Sequence, residues 1–244
     1  MTKKLRLDKF LLKKKLVGSL DEASILINQR KIRIPNFNSK LLFEHTLISV
    51  NSDVRIINQR YVSRGGEKLH KFIIDSEIVI EKKICLDVGA STGGFTNALL
   101  NFGAKKVYCV DVGRSQLSSV VRNDDRVKYY ENINARHDFN IECKKIDIVV
   151  VDVSFISVKM IVPQLKKFLK ENSRLIVLIK PQFEARKNQV DHGGILNNIY
   201  LIPKILDEVI KNLEKNDLTL LNLKKSELKG RKGNQEFFAM FKLS

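Results

Sequence analysis

Residues 85–100 read CLDVGASTGGFTNALL: an apolar run enters a turn with glycine at three of six positions, and a helix-forming segment follows at once. Glycine costs backbone entropy, so such a cluster implies that something approaches the main chain closely. From about residue 84 the rest of the chain repeats the alternation. ICLDVG, KVYCVDVG, RVKYYE, KIDIVVVDV and RLIVLIKP are short Val/Ile-rich runs, and helical stretches are predicted over residues 92–102, 161–171 and 203–213. That order predicts an α/β fold with a mostly parallel, Rossmann-like sheet covered by helices on both faces. The closing segment NQEFFAMFKL reads as a last strand, for which antiparallel insertion is one option.

The first 60 residues read differently. In RLDKFLLKKKLVGSLDEASILINQRKIRI, Leu7, Phe10, Leu11 and Leu12 fit one face of a short helix that Gly18 is expected to end. Ser19 or Asp21 can cap a second helix, and Lys31 to Ile34 alternates as a strand with a basic outer face. This segment holds 13 Lys/Arg against 5 Asp/Glu, an excess of +8 within a whole-chain net charge of +17. Charge of that size favours polyanionic partners and says nothing about fold. A lysine-rich proteome is the bland alternative. The predicted division is therefore residues 1–60 as a small basic α+β domain, 61–83 as a linker with a lead-in helix, and 84–244 as the α/β domain.

With 43% hydrophobic residues the chain can build a packed core. Its longest aliphatic run, Leu175 to Ile179, is far too short to span a membrane, so no stable membrane insertion is expected. Three cysteines without metal-type spacing, two of them in predicted strands, point to reduced thiols and a cytoplasmic location. The four histidines show no ligand spacing, so no metal site is expected. A monomer is the expected state.

In sheets of this kind ligands lie beyond the carboxyl ends of the strands. A dinucleotide fold would require Gly-x-Gly-x-x-Gly, but here the glycines fall at other offsets and an acid, Asp87, precedes them. Asp111 ends the next strand, where a carboxylate can bind both hydroxyls of a ribose. An adenosine carrying a sulfonium and an amino-acid tail meets these demands, so S-adenosyl-L-methionine is the expected cofactor. Gly89, Ser91, Gly93 and Asp111 are its expected contacts, with Asn134 or Asp152 near its ends. Phe95 is weighed as a further contact or as core.

Seven segments in order, YVSRGGEKL, CLDVGASTGGFTNALL, VYCVDVGRSQL, NINAR, DIVVVDVSFIS, LIKPQFEARK and GNQEFF, resemble the TlyA family. Its members, several of them called hemolysin A, are similar to FtsJ-type ribose methyltransferases fused to a ribosomal-protein S-four RNA-binding domain. The resemblance implies a class I methyltransferase sheet acting on a ribose 2′-hydroxyl, here of ribosomal RNA or ribosomal subunits, at a cytidine. Two stretches depart from the family pattern. PNFNSKLLFEHTLISV replaces a short Asn-Gly turn after Ile34, and ILNNIYLIPK replaces Val-Arg-Asp-Pro after Gly194.

A ribose hydroxyl is a weak acid, so methylating it calls for in-line positioning and a nearby base. Lysine can serve when burial or positive neighbours lower its pKa. Lys180 follows five aliphatic residues at one strand end and Asp152 ends another. By resemblance, Lys68, Asp152, Lys180 and Glu236 form the catalytic tetrad. Lys180 accepts the proton, Asp152 orients it, Lys68 raises the local positive potential, and Glu236 orients a lysine or the ribose. Arg64, Arg136 and Arg186 are candidate phosphate contacts. Two competing readings are an RNA-binding protein that no longer catalyses and a membrane-lytic hemolysin.

Overall fold

The computed structural model describes residues 4–35, 37–38, 41–56 and 60–244. The chain divides into two compact units, residues 1–60 and 61–244. Residues 57–59, at the end of the expected N-terminal domain, lie outside the described residues.

In the first unit β1 (Lys4–Arg6) leads straight into α1 (Leu7–Lys13), and α2 (Leu20–Asn28) and β2 (Ile32–Arg33) follow, then β3 (Leu47–Ser49) and β4 (Arg55–Ile56). β1 pairs antiparallel with β3, and β2 with β4. Leu7, Phe10, Leu11, Ala23, Ile27 and Ile48 are buried together as its core. Ser19 caps α2 by accepting from Glu22 N at 3.1 Å. Gly18 does not end α1. The helix stops at Lys13, where Lys15 takes a left-handed φ of 55° and the Leu16 and Lys15 amides bond back to Leu11 and Leu12. This is a Schellman closure, usually a glycine's task.

The second unit opens with α3 (Arg64–Asp75), β5 (Ile84–Val88), α4 (Gly94–Asn101) and β6 (Lys106–Val110). It continues through α5 (Ser119–Arg122), β7 (Val127–Tyr130), β8 (Ile146–Val151), α6 (Val162–Leu165) and β9 (Leu169–Ile179). Last come α7 (Pro181–Glu184), α8 (Ile202–Glu214), β10 (Leu218–Lys225) and β11 (Phe237–Leu243). The strands form one seven-stranded sheet in the order β10-β11-β9-β8-β5-β6-β7. β9, β8, β5, β6 and β7 run parallel, and β11 lies antiparallel between β9 and β10.

Strand residues alternate between the two covered faces. Leu86, Val149, Leu175 and Val177 pack with Val162 and Leu165 of α6 and with Leu206 and Val209 of α8. Cys85, Ile148, Val150 and Ile176 pack with Leu69 and Phe72 of α3 and with Ala98 and Leu99 of α4. Each such fully buried aliphatic side chain stabilises the fold by about 1.5–3 kcal/mol. Residues 61–83 are thus part of this unit's core rather than a connector, because α3 covers the sheet. Two further expectations are corrected. The predicted helix over residues 161–171 ends by Phe168, because β9 already begins at Leu169, where it pairs with Ile146. β10 is an edge strand that the sequence reading did not anticipate.

Candidate functional site

Four neighbouring parallel strands each end one residue before a candidate site residue. Gly89 follows β5, Asp111 follows β6, Asp152 follows β8 and Lys180 follows β9. The hydrophobic runs stop where the strands leave the core, so the first residue after each run stands on the same rim of the sheet.

Gly89, Ser91, Asp111, Asn134 and Asp152 line a single cleft of about 340 Å³ on that rim, with Val112, Ile133 and Phe155 among its apolar walls. Small-molecule sites typically run from about 300 to 1,000 Å³. Asp111 is 7% exposed, and its two carboxylate oxygens accept the Ser91 and Gly113 amides at 2.7 Å each. A carboxylate has roughly four acceptor positions, so each oxygen keeps one for a sugar hydroxyl. The Asn134 carboxamide oxygen accepts from Arg136 N at 3.1 Å, which shapes the turn beside the cleft. A carboxylate for paired hydroxyls, a second carboxylate near a positive centre, and apolar walls for a purine together suit S-adenosylmethionine.

The glycines admit the protein itself. A Cβ on Gly89, at φ +84°, would stand 2.5 Å from the Asp152 backbone oxygen. On Gly93, at φ +90°, it would meet Leu117 at 2.8 Å, and on Gly94 it would meet Ser63 Oγ at 2.0 Å. Gly93, expected to contact the cofactor, is therefore buried against α5 and its neighbour Leu117, and its amide donates to Ala90 O. Gly94 lets the start of α3 pack onto the start of α4. Asp87 also turns away from the cleft. It is fully buried, and its Oδ2 accepts the Thr96 amide at 2.9 Å and the Thr96 hydroxyl at 2.7 Å. Burial pushes this carboxyl up to about 7, the Thr96 bonds oppose the shift, and the charges of Asp152 and Asp111 add to it. Phe95 is core, 6.0 Å from Phe238.

Lys180 is 9% exposed, with its ammonium 2.6 Å from Asp152 Oδ1 and donating to Ser154 Oγ at 2.9 Å. That Oδ1 is enclosed and has no aligned hydrogen-bond donor, so the contact is an ion pair rather than a hydrogen bond. Lys68, on α3, pairs with Glu236 Oε2 at 2.5 Å, and both side chains are at least nine-tenths buried. β11 and β9 pair Phe237 with Ile179, so one further step in antiparallel register sets Glu236 opposite Lys180. Four residues scattered from position 68 to 236 thereby become two ion pairs at one end of adjacent strands, that of Lys68 and Glu236 buried on both sides.

The three candidate arginines are all exposed, and Arg64, one turn before Lys68 on α3, donates to Lys229 O at 2.7 Å. Sequence reasoning missed Ser154, Glu184 and Phe155. Glu184 accepts Ser157 Oγ at 2.5 Å and Val158 N at 2.8 Å, which fastens the loop after β8 to α7. Burial raises its pKa, and those two hydrogen bonds offset part of the rise. Phe155 is 91% exposed at φ 64°, with its ring 5.1 Å from Phe183. A left-handed aromatic costs conformational energy, and such outliers gather at functional sites.

Dinucleotide-binding sheets of this type are mostly parallel, and an antiparallel strand, where they have one, lies at the edge. Here an antiparallel strand is wedged beside the strand that delivers Lys180, which is the sheet of the class I methyltransferases. The comparison with known families agrees: the chain belongs to the FtsJ-like methyltransferase family, which matches residues 61–243. Hemolysin A of Brachyspira hyodysenteriae is 47% identical over 75% of this chain and 78% of its own length. The 16S/23S rRNA (cytidine-2′-O)-methyltransferase TlyA of Mycobacterium tuberculosis is 34% identical over 98% of this chain and 90% of its own length. A solved structure described as a candidate hemolysin, from Streptococcus thermophilus, superposes with a TM-score of 0.75 at 32% identity, covering 100% of this chain and 90% of that one.

Proposed function

We propose that this protein transfers a methyl group from S-adenosyl-L-methionine to a ribose 2′-hydroxyl of ribosomal RNA, at a cytidine, and that Lys68, Asp152, Lys180 and Glu236 form its catalytic tetrad. The observation that carries the reading is the contact between Lys180 and Asp152 at 2.6 Å, because Asp152 also lines the cofactor cleft. One carboxylate therefore ties the proposed base to the donor's pocket.

The bound donor supplies an electrophilic methyl on a sulfonium, which leaves as a neutral thioether. Everything else falls to the chain. Asp111 and Ser91 fix the sugar end of the cleft. Once its ammonium has released a proton to solvent, Lys180 Nζ receives the proton of the ribose hydroxyl as the O–CH₃ bond forms, and Asp152 and Ser154 hold that nitrogen in place. Lys68 and Glu236, already paired, form a charge-balanced wall beside it. Phe155, open to solvent at the mouth of the cleft, offers a flat apolar face to the target base.

The test is transfer of tritiated methyl from the donor to purified ribosomal subunits, followed by mapping of the modified ribose. A label on a cytidine 2′-oxygen that disappears in Lys180→Ala supports the reading. A label on a base nitrogen or carbon, or full activity in the variant, refutes it. No helix among the described residues is long and apolar enough to cross a membrane. A liposome-leakage assay on the same variant addresses the hemolysin name of the relatives. Leakage that persists without methyl transfer would mean a separate activity.

A further inference from the structure

The stretch after Ile34, where the chain departs from the S-four pattern, plays no part in the chemistry above. Its later portion folds as a tight turn. The Phe43 amide donates to Thr46 Oγ1 at 2.8 Å, and the Thr46 amide donates to Phe43 O at 3.0 Å. Hydrogen bonds fasten this turn to both helices of the N-terminal unit. The Leu7 and Asp8 amides, at the start of α1, donate to Thr46 O at 2.9 Å and Glu44 O at 3.2 Å. The Glu44 carboxylate accepts from Ser24 Oγ at 2.7 Å and Asn28 Nδ2 at 3.0 Å on α2.

With Glu44 bound to α2, its neighbours Phe43 and His45 are left exposed, Phe43 at 49%. Their rings lie nearly parallel, 10° apart in plane and 5.7 Å between centroids. A single exposed phenylalanine is unremarkable on a protein surface. A rigid turn that presents two aligned rings is a different object, because it offers a flat face whose ordering cost is already met. Cations stand near it. β1 and the first turn of α1 bring exposed Lys4, Arg6 and Lys9, and the β1–β3 register sets Arg6, which is paired with Asp8 at 2.6 Å, opposite Leu47, next to the turn. Cations for phosphates beside flat rings for bases are what single-stranded nucleic acids require.

We infer that Phe43 and His45, in the N-terminal unit, form a stacking platform for an unpaired nucleobase of RNA. The inference rests on the reading of this chain as an RNA-modifying enzyme. The test uses the full-length protein and a fluorescent single-stranded RNA, alone and annealed to its complement.

Phe43→Ala should weaken single-strand binding by about 5- to 100-fold, the usual loss of one base–aromatic stack. Duplex affinity should stay the same, and so should the slope of affinity against salt, because no phosphate contact is removed. Phe43→Trp should bind as the parent does, and Phe43→Leu, which keeps apolar area without a flat ring, should fall with alanine. Thermal melting checks that every variant is folded. Full single-strand affinity in Phe43→Ala, full affinity in Phe43→Leu, or parallel loss of both RNAs would each overturn the inference. If the parent protein binds neither RNA, the RNA reading itself fails. If the parent binds and the variants match it, only the platform fails.

Discussion

Gly89 and the backbone oxygen of Asp152 are so close that a methyl group on the glycine would stand 2.5 Å from that oxygen. The turn below the donor cleft and the end of β8, which holds the partner of Lys180, are therefore packed as one piece. Gly89 also sits at φ +84°, where any other residue is strained. Gly89→Ala should lower stability by roughly 2–4 kcal/mol, as overpacking and strain in a core do. Donor affinity should fall in the same variant, read by denaturant unfolding and titration calorimetry. Unchanged values for both would separate the turn from the Lys180–Asp152 pair.

Lys180→Ala should lower methyl transfer by about 10²- to 10⁴-fold, the usual contribution of a positioned general base. Donor affinity should change little, because Asp111, Ser91 and the apolar walls remain. Single-turnover kinetics and calorimetry on the same preparation check both halves.

The Lys68–Glu236 pair is buried on both sides, so losing one partner strands a charge. Glu236→Ala should cost about 3–5 kcal/mol, whereas the double variant Lys68→Met/Glu236→Leu should regain most of that loss. Methyl transfer should stay low in both. Recovery of activity along with stability would show that the pair only supports the fold.

Asp87, buried with its carboxyl raised, should give the molecule a stability that falls as pH rises. Its carboxyl lies near 3.8 when unfolded and about 7 when folded, so the native state holds its proton longer. The associated stability is fully present below about pH 4, is lost as pH rises toward 7, and levels off above that, with an amplitude on the order of a few kcal/mol. Urea melts across this range should show the slope, and Asp87→Asn should flatten it. A parent protein whose stability rises through this window would contradict the burial argument.

Removing residues 1–60 leaves a unit with its own sheet, helices and cleft. Donor affinity should survive, while RNA methylation should drop sharply and lose much of its salt dependence, because an excess charge of +8 goes with that segment. Filter binding and methylation at several salt concentrations measure both.

The residues legible in advance are those that end apolar runs. Asp111, Asp152 and Lys180 each follow a buried strand, and a charge at that point has few structural reasons to exist. Lys68 and Glu236 carry no such signal. They look like surface charges until α3 packs on α4 and β11 enters beside β9, and family resemblance rather than spacing pointed to them. Helix ends were misread where Lys15 takes the left-handed turn usually given to glycine. Phe155 carries no signal in the sequence, because only the turn after β8 exposes it.

Local sequence thus determined the five parallel strands, the helices α1, α2, α4 and α8, and the residues that stand at the strand ends, because hydrophobic period and glycine act over a few residues. It also set the basic character of the first 60 residues. Tertiary structure alone decided which charges become partners, which glycines admit neighbouring backbone rather than ligand, and where β10 and β11 join the sheet. Those outcomes depend on contacts between residues far apart in the chain, and no local pattern records them.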